Sequence, residues 1–367
     1  MKIALLTIHY ANSYGGCLQA LASQVVLSRF GDAVIVDYKT PALKSTMKPL
    51  RFSRNPRSFL HVIKDILRLF PRIRLLKKFH AFMSSSYRLS RTCVNISDLK
   101  DLSSEYDVFV CGSDQIWNPC VTGQLDSPYL LGFASDVRKV TFSTSAGSYR
   151  FSKGEQDKIQ SAINDFANFS FREVDMVQQV AEITGRKDIQ HTLDPTLLLT
   201  KSEWIDLLDL KIDGSLGKYV FVYTLKKDKV VYEAVRGLAK RLGLKVVAVD
   251  QDPFLLYRPD IHIRDAGPVE FLNLMLNAEF VITNSFHGTA FSVNFGLPFI
   301  AVKPETGINR IKGFLESVGL DSRLVSDLND LDASLKEVID YAMVERKLNA
   351  LRNHTFEYLA DALRTHE

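Results

Sequence analysis

Short apolar runs that end in small or polar residues recur along the chain, and a helical pattern follows most of them. The first run, residues 3–8, precedes a small-residue turn and a helical pattern, and a second run, residues 33–37, follows Gly31 and Asp32. A strand, a helix and a second strand in this order form a βαβ unit, which requires parallel strands. The pattern therefore predicts an α/β fold with two facing, Rossmann-like, doubly wound domains.

The chain has 367 residues, which is too long for one ordinary hydrophobic core, so two domains are expected. We predict an N-terminal Rossmann-like domain at 1–199, a C-terminal one at 200–345 and a C-terminal helix at 346–367. Thr200 or Ser202 can cap the first helix of the second domain. Its predicted strands are 219–223, 245–249, 280–283 and 299–302, and its predicted helices are 230–242, 269–278 and one from Gly288. Ligands of such sheets bind beyond the carboxyl ends of the strands, so the cleft between the domains is the expected site.

A strongly basic segment interrupts the first domain. Residues 41–91 carry 13 Lys or Arg and one acid, Asp65, whereas the remaining chain carries 33 basic and 41 acidic residues. Pro71 divides two amphipathic stretches, so a helical hairpin inserted at about 42–91 is predicted. Its apolar stripes either pack on the first domain, with the charges in solvent, or dock on an anionic membrane surface. No aromatic-basic stacking motif accompanies the segment, so nucleic acid is not an expected partner.

Two observations bear on the compartment. No apolar run approaches the ~18 residues of a membrane span, and the first run turns polar at His9 and Tyr10 before the core of a signal peptide is complete. The expected location is therefore the cytoplasm, either free or peripheral on the inner face of the membrane. Reduced thiols are expected rather than disulfides or zinc, because paired CxxC spacing is missing among Cys17, Cys93, Cys111 and Cys120.

The stretch 281–302 contains the best candidate for a binding site. An apolar strand ends there, immediately before a helix, in Asn284, Ser285, Phe286, His287 and Gly288. Such a turn directs backbone amides and the positive end of the helix dipole at a ligand above it, which favours phosphate or carboxylate. We therefore predict that His287 stands beside an anion site. A purely structural role for this single histidine is the alternative.

A second turn shares this geometry. The predicted strand 106–111 ends at Gly112 and leaves Ser113, Asp114 and Gln115 at its carboxyl end, where Trp117 offers a flat face for stacking on a sugar. Capping of a helix by Ser113 or Asp114 is the alternative.

The opening loop is a third, weaker candidate. Its residues Tyr14, Gly15 and Gly16 allow the backbone to approach a ligand closely.

Taken in order, these motifs resemble those of the polysaccharide pyruvyl transferase family. They are the opening Asn-x-Tyr-Gly-Gly loop with Leu18, Gln19 and Ala20, then GSDQIWNP, FREVD at 171–175, LDPTLLL at 193–199, GPVEFL and NSFHG. The resemblance implies a two-domain GT-B-like fold. It also implies transfer of pyruvate from phosphoenolpyruvate to two hydroxyls of a sugar, as a cyclic ketal, with His287 as the catalytic histidine and Arg172 as a donor-binding arginine.

The chain departs from the family pattern at one position. Family members often carry an Arg two positions before the histidine, where this chain has Ser285. Phosphoenolpyruvate brings a carboxylate and a phosphate into one site, so Arg172 is expected to act with Lys303, Arg310 or Lys226. Lys303 and Arg310 are otherwise surface charges. Phosphoenolpyruvate is a co-substrate here, so no cofactor is expected, and no cluster of His or carboxylates indicates a metal.

These residues divide between the two domains. The second domain is the expected donor side, where His287 acts as the acid that protonates the donor's methylene carbon. The first is the expected acceptor side, with Asp114 as base or hydroxyl-orienting acceptor and with Tyr14, Gly15, Ser113, Gln115 and Trp117 around a sugar of a polysaccharide or its lipid-linked precursor. A GT-B nucleotide-sugar glycosyltransferase and a non-catalytic saccharide-binding protein of the same fold are the alternatives.

Overall fold

The computed structural model describes residues 1–49, 58–304 and 308–364, with side chains everywhere except at 58–68 and 328. The chain forms two compact units. Unit 1 comprises residues 1–46, 85–199 and those from 348 onward, and unit 2 comprises residues 47–84 and 200–347. The chain passes from unit 1 into the main part of unit 2 between Leu199 and Thr200.

Strands and helices alternate along both units. The strands are β1 (Lys2–Leu6), β2 (Asp32–Tyr38), β3 (Leu89–Cys93), β4 (Val108–Cys111), β5 (Arg138–Thr141), β6 (Phe166–Asn168), β7 (Ser170–Phe171), β8 (Gln190–His191), β9 (Tyr219–Tyr223), β10 (Lys245–Val249), β11 (Ile261–Ile263), β12 (Phe280–Thr283), β13 (Phe299–Val302) and β14 (Leu324–Val325). The helices are α1 (Tyr14–Leu27), α2 (Pro41–Thr46), α3 (Ser58–Ser86), α4 (Ile96–Ser103), α5 (Pro119–Thr122), α6 (Lys153–Ile163), α7 (Val174–Thr184), α8 (Lys201–Leu208), α9 (Lys229–Leu242), α10 (Pro268–Leu276), α11 (Phe286–Phe295), α12 (Ile308–Val318), α13 (Leu328–Lys336) and α14 (Tyr341–Ala362).

Unit 1 is built on a six-stranded sheet in the order β3-β2-β1-β4-β5-β6, with β7 and β8 as a separate pair. All neighbouring strands are parallel. The central strands β1 and β4 are apolar and almost entirely buried, as expected where helices cover both faces of a parallel sheet. The end of the chain also packs here, because Tyr358 of α14 donates from its hydroxyl to the carbonyl of Thr141 at 2.6 Å.

Unit 2 repeats the plan with a six-stranded parallel sheet in the order β11-β10-β9-β12-β13-β14. Every residue of β9, β12 and β13 is buried. The four strands predicted for this domain begin and end at the predicted residues. Thr200 caps α8 by accepting a hydrogen bond from the amide of Glu203 at 3.3 Å. The predicted α/β fold with two doubly wound sheets is confirmed.

The predicted helical hairpin is wrong, because α3 continues through Pro71 as a single helix. A proline inside a helix removes one hydrogen bond and costs about 3 kcal/mol. The next turns bury Leu75, Leu76, Phe79 and Phe82. Burying each such side chain contributes roughly 1.5–3 kcal/mol, which offsets the cost of the proline.

The basic segment also packs elsewhere than predicted, since residues 47–84 group with unit 2 although they interrupt unit 1 in sequence. Arg72 Nη1 donates to Gln251 Oε1 at 3.0 Å, Arg74 pairs with Asp265, and Lys78 Nζ donates to Glu270 Oε1 at 2.7 Å. Packing on the first domain is therefore wrong for this part of the insertion. The basic residues at 50–57 lie outside the described residues.

Two further features concern the hydropathy of the helices and the state of the cysteines. None of the described helices is both long and apolar enough to cross a membrane. The four cysteines are free thiols, of which Cys120 is exposed and the other three are buried.

Candidate active site

Each sheet brings its candidate residues to the point where the strand order reverses. In unit 2 the order runs outward in both directions from the neighbours β9 and β12, and in unit 1 from β1 and β4. A crevice opens beyond the carboxyl ends of the strands at such a reversal, and ligands of doubly wound sheets bind there. The turn at 284–288 follows β12, and Ser113 and Asp114 follow β4, so the sequence motifs occupy these two positions.

Hydrogen bonds of Thr283 and Ser285 hold the turn after β12. Thr283 Oγ1 donates to the carbonyl of Tyr223 at 2.7 Å and accepts from the amide of Ser285 at 3.1 Å. Ser285 caps α11, with its hydroxyl accepting from the amide of Gly288 at 3.4 Å. A Cβ added to Gly288 would lie 3.0 Å from the Cβ of Thr283 and still closer to its hydroxyl, so glycine allows the helix to start directly against the strand.

His287 lies in the first turn of α11, which begins at Phe286 rather than at the predicted Gly288. The histidine is 9% exposed, and its ring meets the ring of Phe286 edge-on with centroids 5.3 Å apart. Phe286 in turn packs against Phe314, and the guanidinium of Arg310 lies 5.9 Å from the centroid of the Phe286 ring. His287 is thus a mostly buried helix residue with a cation nearby, at the position where a helix N-terminus favours anions.

Asn284 joins this turn to the loop that follows β9. Its Oδ1 accepts from the amide of Leu225 at 2.7 Å, and its Nδ2 donates to the carbonyl of Lys226 at 3.1 Å. The side chain thereby bridges the two loops on either side of the strand-order reversal. The two bonds hold the backbone of residues 225–226 next to the His287 turn, and the side chain of Lys226 is exposed.

Three more cations belong to unit 2 at the same edge or close to the turn. Lys303 follows β13 directly and is exposed, Arg310 lies beside Phe286, and Arg264 follows β11 directly with its Nε buried. Arg264 is not among the residues predicted from the sequence, because β11 has only three residues and no strand was predicted there. Its position immediately after the short run Ile261–Ile263 was the sequence signal that could have identified it.

In unit 1 the opening loop and the end of β4 are tied together. The Gln19 amide donates to Thr7 Oγ1 at 2.9 Å and to the carbonyls of Ile8 and Gly16, both at 3.1 Å. Thr7 Oγ1 donates to the carbonyl of Ser113 at 2.8 Å. These bonds bring the start of α1, with Tyr14 and Gly15, next to the candidate residues after β4.

Asp114 has an unusual backbone, with φ of 71°, in the left-handed region that non-glycine residues rarely adopt. Such strain is concentrated at functional sites. Its Oδ1 accepts from the amide of Gln115 at 2.8 Å, and the hydroxyl of neighbouring Ser113 is buried with no hydrogen-bond partner in the described part of the chain. The alternative that these residues cap the next helix is wrong, because Asn118 caps α5.

Arg172 is buried among three carboxylates of unit 1. Its Nε donates to Glu173 at 3.1 Å and its Nη1 to Asp194 at 2.6 Å, while its Nη2 lies 3.8 Å from Asp114 Oδ1 and donates to Ser145 Oγ at 3.0 Å. Burial lowers the pKa of this guanidinium, but the three carboxylates outweigh burial and raise the pKa above its ordinary value. Arg172 therefore stays charged and orients the Asp114 turn. It belongs to unit 1 and His287 to unit 2, and its predicted donor-binding role stays a prediction.

The prediction that Trp117 stacks on a sugar is wrong, because this side chain is 1% exposed. Its indole Nε1 donates to the carbonyl of Tyr129 at 3.0 Å, and its ring packs against Phe171 with centroids 5.4 Å apart. The amide of Trp117 donates to the carbonyl of Ser145, and the ring belongs to the hydrophobic core of unit 1. Gln115 stays at the turn, where its Oε1 accepts from Asn118 at 2.8 Å.

A cavity of about 390 Å³ lies elsewhere in unit 2, beside Tyr219 at the start of β9. Its charged and polar lining groups bond one another or the backbone: Lys78 pairs with Glu270, and the Tyr219 hydroxyl donates to the carbonyl of Leu274 at 2.6 Å. The cavity does not include the His287 turn. Among residues 1–49, 58–304 and 308–364, no group of three His, Cys, Asp or Glu side chains is placed to hold a metal ion.

Two doubly wound units with polar turns at their strand-order reversals define a GT-B-like protein. Solved structures share this fold: the UDP-GlcNAc 2-epimerase from Neisseria meningitidis bound to UDP-GlcNAc is 10% identical, covers 98% of this chain and 100% of its own, and has a TM-score of 0.59. The UDP-GlcNAc 2-epimerase from Methanocaldococcus jannaschii is 12% identical, with 97% and 100% covered and a TM-score of 0.56. At such identities the likeness shows the fold alone.

The chain belongs to the polysaccharide pyruvyl transferase family, whose family model matches residues 14–305. The match begins at Tyr14 in the opening loop and extends beyond His287 and Lys303, so it includes the candidate turns of both units. Family membership implies a transferase that acts on a polysaccharide. No curated protein matches the chain.

Proposed function

We propose that the protein transfers pyruvate from phosphoenolpyruvate to two hydroxyls of a sugar, in a polysaccharide or its lipid-linked precursor, and forms a cyclic ketal. The observation that carries the proposal is the position of His287 in the first turn of α11, at the strand-order reversal of unit 2. A helix N-terminus favours anions, and the histidine in its first turn is an acid–base group. The reaction needs both, because the donor is a phosphate ester of an enol acid.

The cations of unit 2 support phosphoenolpyruvate as the donor. The carboxylate and phosphate of this donor need several positive groups, and unit 2 carries Lys226, Arg264, Lys303 and Arg310 at the same sheet edge or close to the turn, besides the amides of α11. Ser285 replaces the arginine that the family often has at this position, and its hydroxyl caps α11 instead. We propose that Arg264 and Arg310 supply the missing positive charge and that Arg172 assists in donor binding, as the family pattern implies.

The proposed reaction begins with a proton transfer and ends with release of phosphate. His287 gives a proton to the methylene carbon of phosphoenolpyruvate, which generates an oxocarbenium-like centre at the adjacent carbon. One sugar hydroxyl adds to this centre, the carbon–oxygen bond to phosphate breaks, and the second hydroxyl then adds to close the ring. The two hydroxyls release two protons, of which one restores His287 and the other leaves with phosphate. General acid catalysis of this kind contributes roughly 10²–10⁴-fold.

Unit 1 is the proposed acceptor side. Asp114 is the proposed base or hydroxyl-orienting acceptor, and its strained backbone together with the buried hydroxyl of Ser113 supports a binding role for this turn. Tyr14, Gly15 and Gln115 would complete the contacts to the sugar. The proposed location is the cytoplasm, with the enzyme peripheral on the inner face of the membrane where a lipid-linked acceptor is presented.

A nucleotide-sugar glycosyltransferase is the second candidate, favoured by the fold shared with an epimerase bound to UDP-GlcNAc. Thermal denaturation with each donor separates the two, because a ligand that binds only the folded state raises its apparent stability. We expect phosphoenolpyruvate to raise the melting temperature more than UDP- or GDP-sugars do. Stabilisation by nucleotide sugars alone would favour the glycosyltransferase, and stabilisation by glycans without any donor effect would favour a saccharide-binding protein.

A further inference from the structure

The side chain of Gln19 lies completely buried in α1, although it is polar. A buried polar group costs free energy unless it is hydrogen-bonded. The side-chain nitrogen of Gln19 lies within hydrogen-bond distance of three oxygen atoms, which are Thr7 Oγ1 at 2.9 Å and the carbonyls of Ile8 and Gly16, both at 3.1 Å. An amide group carries two hydrogens, so these acceptors use all of its donor capacity. Gln19 belongs to the opening sequence motif, yet the proposed reaction gives it no role.

Thr7 connects Gln19 to the turn after β4. Its hydroxyl accepts from the Gln19 amide and donates to the carbonyl oxygen of Ser113 at 2.8 Å. The ends of β1 and β4 meet closely here, because the amide of Gly112 donates to the carbonyl of Leu6 at 2.8 Å. A Cβ added to Gly112 would lie 3.0 Å from the Cβ of Thr7, so a side chain at this position would push the two strand ends apart. Glycine therefore allows the Thr7 hydroxyl to reach the turn.

The bond from Thr7 acts on the strained backbone of Asp114. The carbonyl of Ser113 and the amide nitrogen of Asp114 belong to one planar peptide group, so a bond to this carbonyl fixes the plane on one side of the 71° φ angle. On the other side, the carbonyl of Asp114 accepts from the amides of Ile116 at 2.8 Å and Ser145 at 3.1 Å. A left-handed conformation of this kind persists only where the surrounding structure over-determines it. The Thr7 hydroxyl supplies one of the bonds that do so.

Gln19 also contacts the residue that faces the Asp114 carboxylate. Its amide donates to the carbonyl of Gly16 in the first turn of α1, and a Cβ added to Gly16 would lie 3.4 Å from Asp114 Oδ2. The first turn of α1 contains no acidic residue of its own, and a negative charge is favourable at a helix N-terminus. One glutamine thus holds the backbone of Asp114, through Thr7, and the helix turn beside the Asp114 carboxylate.

We propose that Gln19 is a positioning residue for Asp114 and acts through the Thr7 hydroxyl and the first turn of α1. These bonds hold Asp114 in its left-handed conformation before a sugar binds, so that the carboxylate is preorganised to accept a sugar hydroxyl. Preorganisation reduces the free energy that is spent on ordering the site when the ligand binds. The inference rests on the proposed function for the role of Asp114 toward a sugar, whereas the hold on the turn is a property of the fold.

Hydrogen–deuterium exchange of the full chain tests the hold on the turn. Thr7→Val replaces the hydroxyl by a methyl group of similar size, and Gln19→Met removes the amide but keeps an unbranched side chain of similar length. Both variants should exchange about tenfold faster in the peptide that covers residues 113–118, and Thr7→Ser, which keeps a hydroxyl, should exchange as the parent does. The matched control is Ser28→Ala at the other end of α1, where the hydroxyl donates to the carbonyl of Gln24 at 2.7 Å. It should leave exchange at 113–118 unchanged.

Steady-state kinetics test the consequence for the acceptor. Thr7→Val and Gln19→Met should each raise the KM for the glycan about tenfold and leave the KM for phosphoenolpyruvate unchanged, a difference that a general loss of stability does not produce. Thr7→Ser should restore the glycan KM of the parent. Asp114→Gly removes the carboxylate, and glycine adopts a positive φ without strain. In this background Thr7→Val should have little further effect, because both changes act on the same group.

Three results would overturn the inference. They are unchanged exchange at 113–118 in both variants, an unchanged glycan KM in variants whose turn exchanges faster, and an equal rise of both KM values. Circular dichroism and the melting temperature show whether each variant is folded. If the parent transfers pyruvate to no glycan, the proposed function is contradicted, while the exchange measurement still decides whether Gln19 holds the turn.

Discussion

The Nδ2 atom of Asn284 donates a hydrogen bond to the carbonyl oxygen of Lys226 over 3.1 Å. With the bond from the Leu225 amide to its Oδ1, this one side chain satisfies a donor and an acceptor of the neighbouring loop. The loop and the His287 turn are therefore held as one element at the strand-order reversal. The backbone at Lys226 depends on this link for its position relative to the turn.

Replacing Asn284 by Ala should loosen the link. We expect the free energy of unfolding to fall by about 1–3 kcal/mol, because two backbone groups lose their partners, and the KM for phosphoenolpyruvate to rise more than kcat falls. Asn284→Asp keeps the acceptor for the Leu225 amide but loses the donor to Lys226 and adds a negative charge at the anion site, so its KM for phosphoenolpyruvate should rise at least as much as that of Asn284→Ala. An unchanged KM in a folded Asn284→Ala variant would remove Lys226 from donor binding.

The role of Arg172 in donor binding can be tested by replacing its guanidinium group with the ammonium group of lysine. Arg172→Lys keeps the positive charge among Glu173, Asp194 and Asp114 but loses the planar fork, so we expect the KM for phosphoenolpyruvate to rise more than the KM for the glycan. Arg172→Met leaves buried carboxylates unpaired and should lower the free energy of unfolding by about 3–5 kcal/mol. If Arg172→Lys raises only the glycan KM, the arginine acts through Asp114 and does not bind the donor.

The lowered pKa of the Asp37 carboxyl group predicts that the stability of unit 1 depends on pH. Burial raises the pKa of its carboxyl group, but the hydrogen bonds from His9 at 3.0 Å, Lys39 at 2.5 Å and Thr92 at 2.6 Å outweigh burial and hold that pKa well below its ordinary value of 3.8. A carboxyl group whose pKa is lower in the folded state stabilises the fold above the pKa of the unfolded chain. This stability is lost as the pH falls through the folded-state pKa.

The measurement is denaturant unfolding of the parent and of Asp37→Asn across a pH series. At neutral pH the variant should be less stable by about 2 kcal/mol, and the difference should shrink as the pH falls below ~4. Asp136→Asn, which changes an exposed carboxylate of the same unit, should show no such trend. A difference that stays constant down to strongly acidic pH would show that Asp37 contributes by packing alone.

The sequence predicted four of the six strands in the sheet of unit 2, β9, β10, β12 and β13, because each is a short apolar run bounded by turn residues. It did not predict β11 and β14, which have only three and two residues. The same reasoning located the turns at 113–115 and 284–288, since polar residues directly after such runs must lie at the carboxyl edge. It failed at Trp117, where a residue next to a turn folds back into the core, and at Pro71, where burial of the following side chains outweighs the cost of a proline.

The remaining features that the sequence did not predict are contacts between side chains that are distant in sequence. His9 follows β1 whereas Asp37 lies within β2. Arg172 meets Asp194 and Asp114 only after β4, β5 and β7 are aligned. A single sequence without the sheet register does not specify such partners. The same limit applies to the packing of residues 69–84, whose partners Gln251, Asp265 and Glu270 are distant in sequence.

His287 should be indispensable for turnover but not for folding. We expect His287→Ala to lower kcat by about 100-fold or more, the usual scale for loss of a general acid, with the fold retained. Ser292→Ala is a control in the same buried helix, where the hydroxyl donates to the carbonyl of Gly288 at 2.8 Å, and it should retain most of the activity. Full activity of a folded His287→Ala variant would exclude the histidine from the chemistry.

The most direct measurement is incubation of the purified protein with phosphoenolpyruvate and candidate soluble or lipid-linked glycans, with simultaneous detection of phosphate and product mass. The account predicts that phosphate appears in step with a glycan whose mass has risen by one pyruvate less water, and that both signals fall together in His287→Ala. Transfer of a sugar from UDP- or GDP-sugars, with no product from phosphoenolpyruvate on the same glycans, would contradict it.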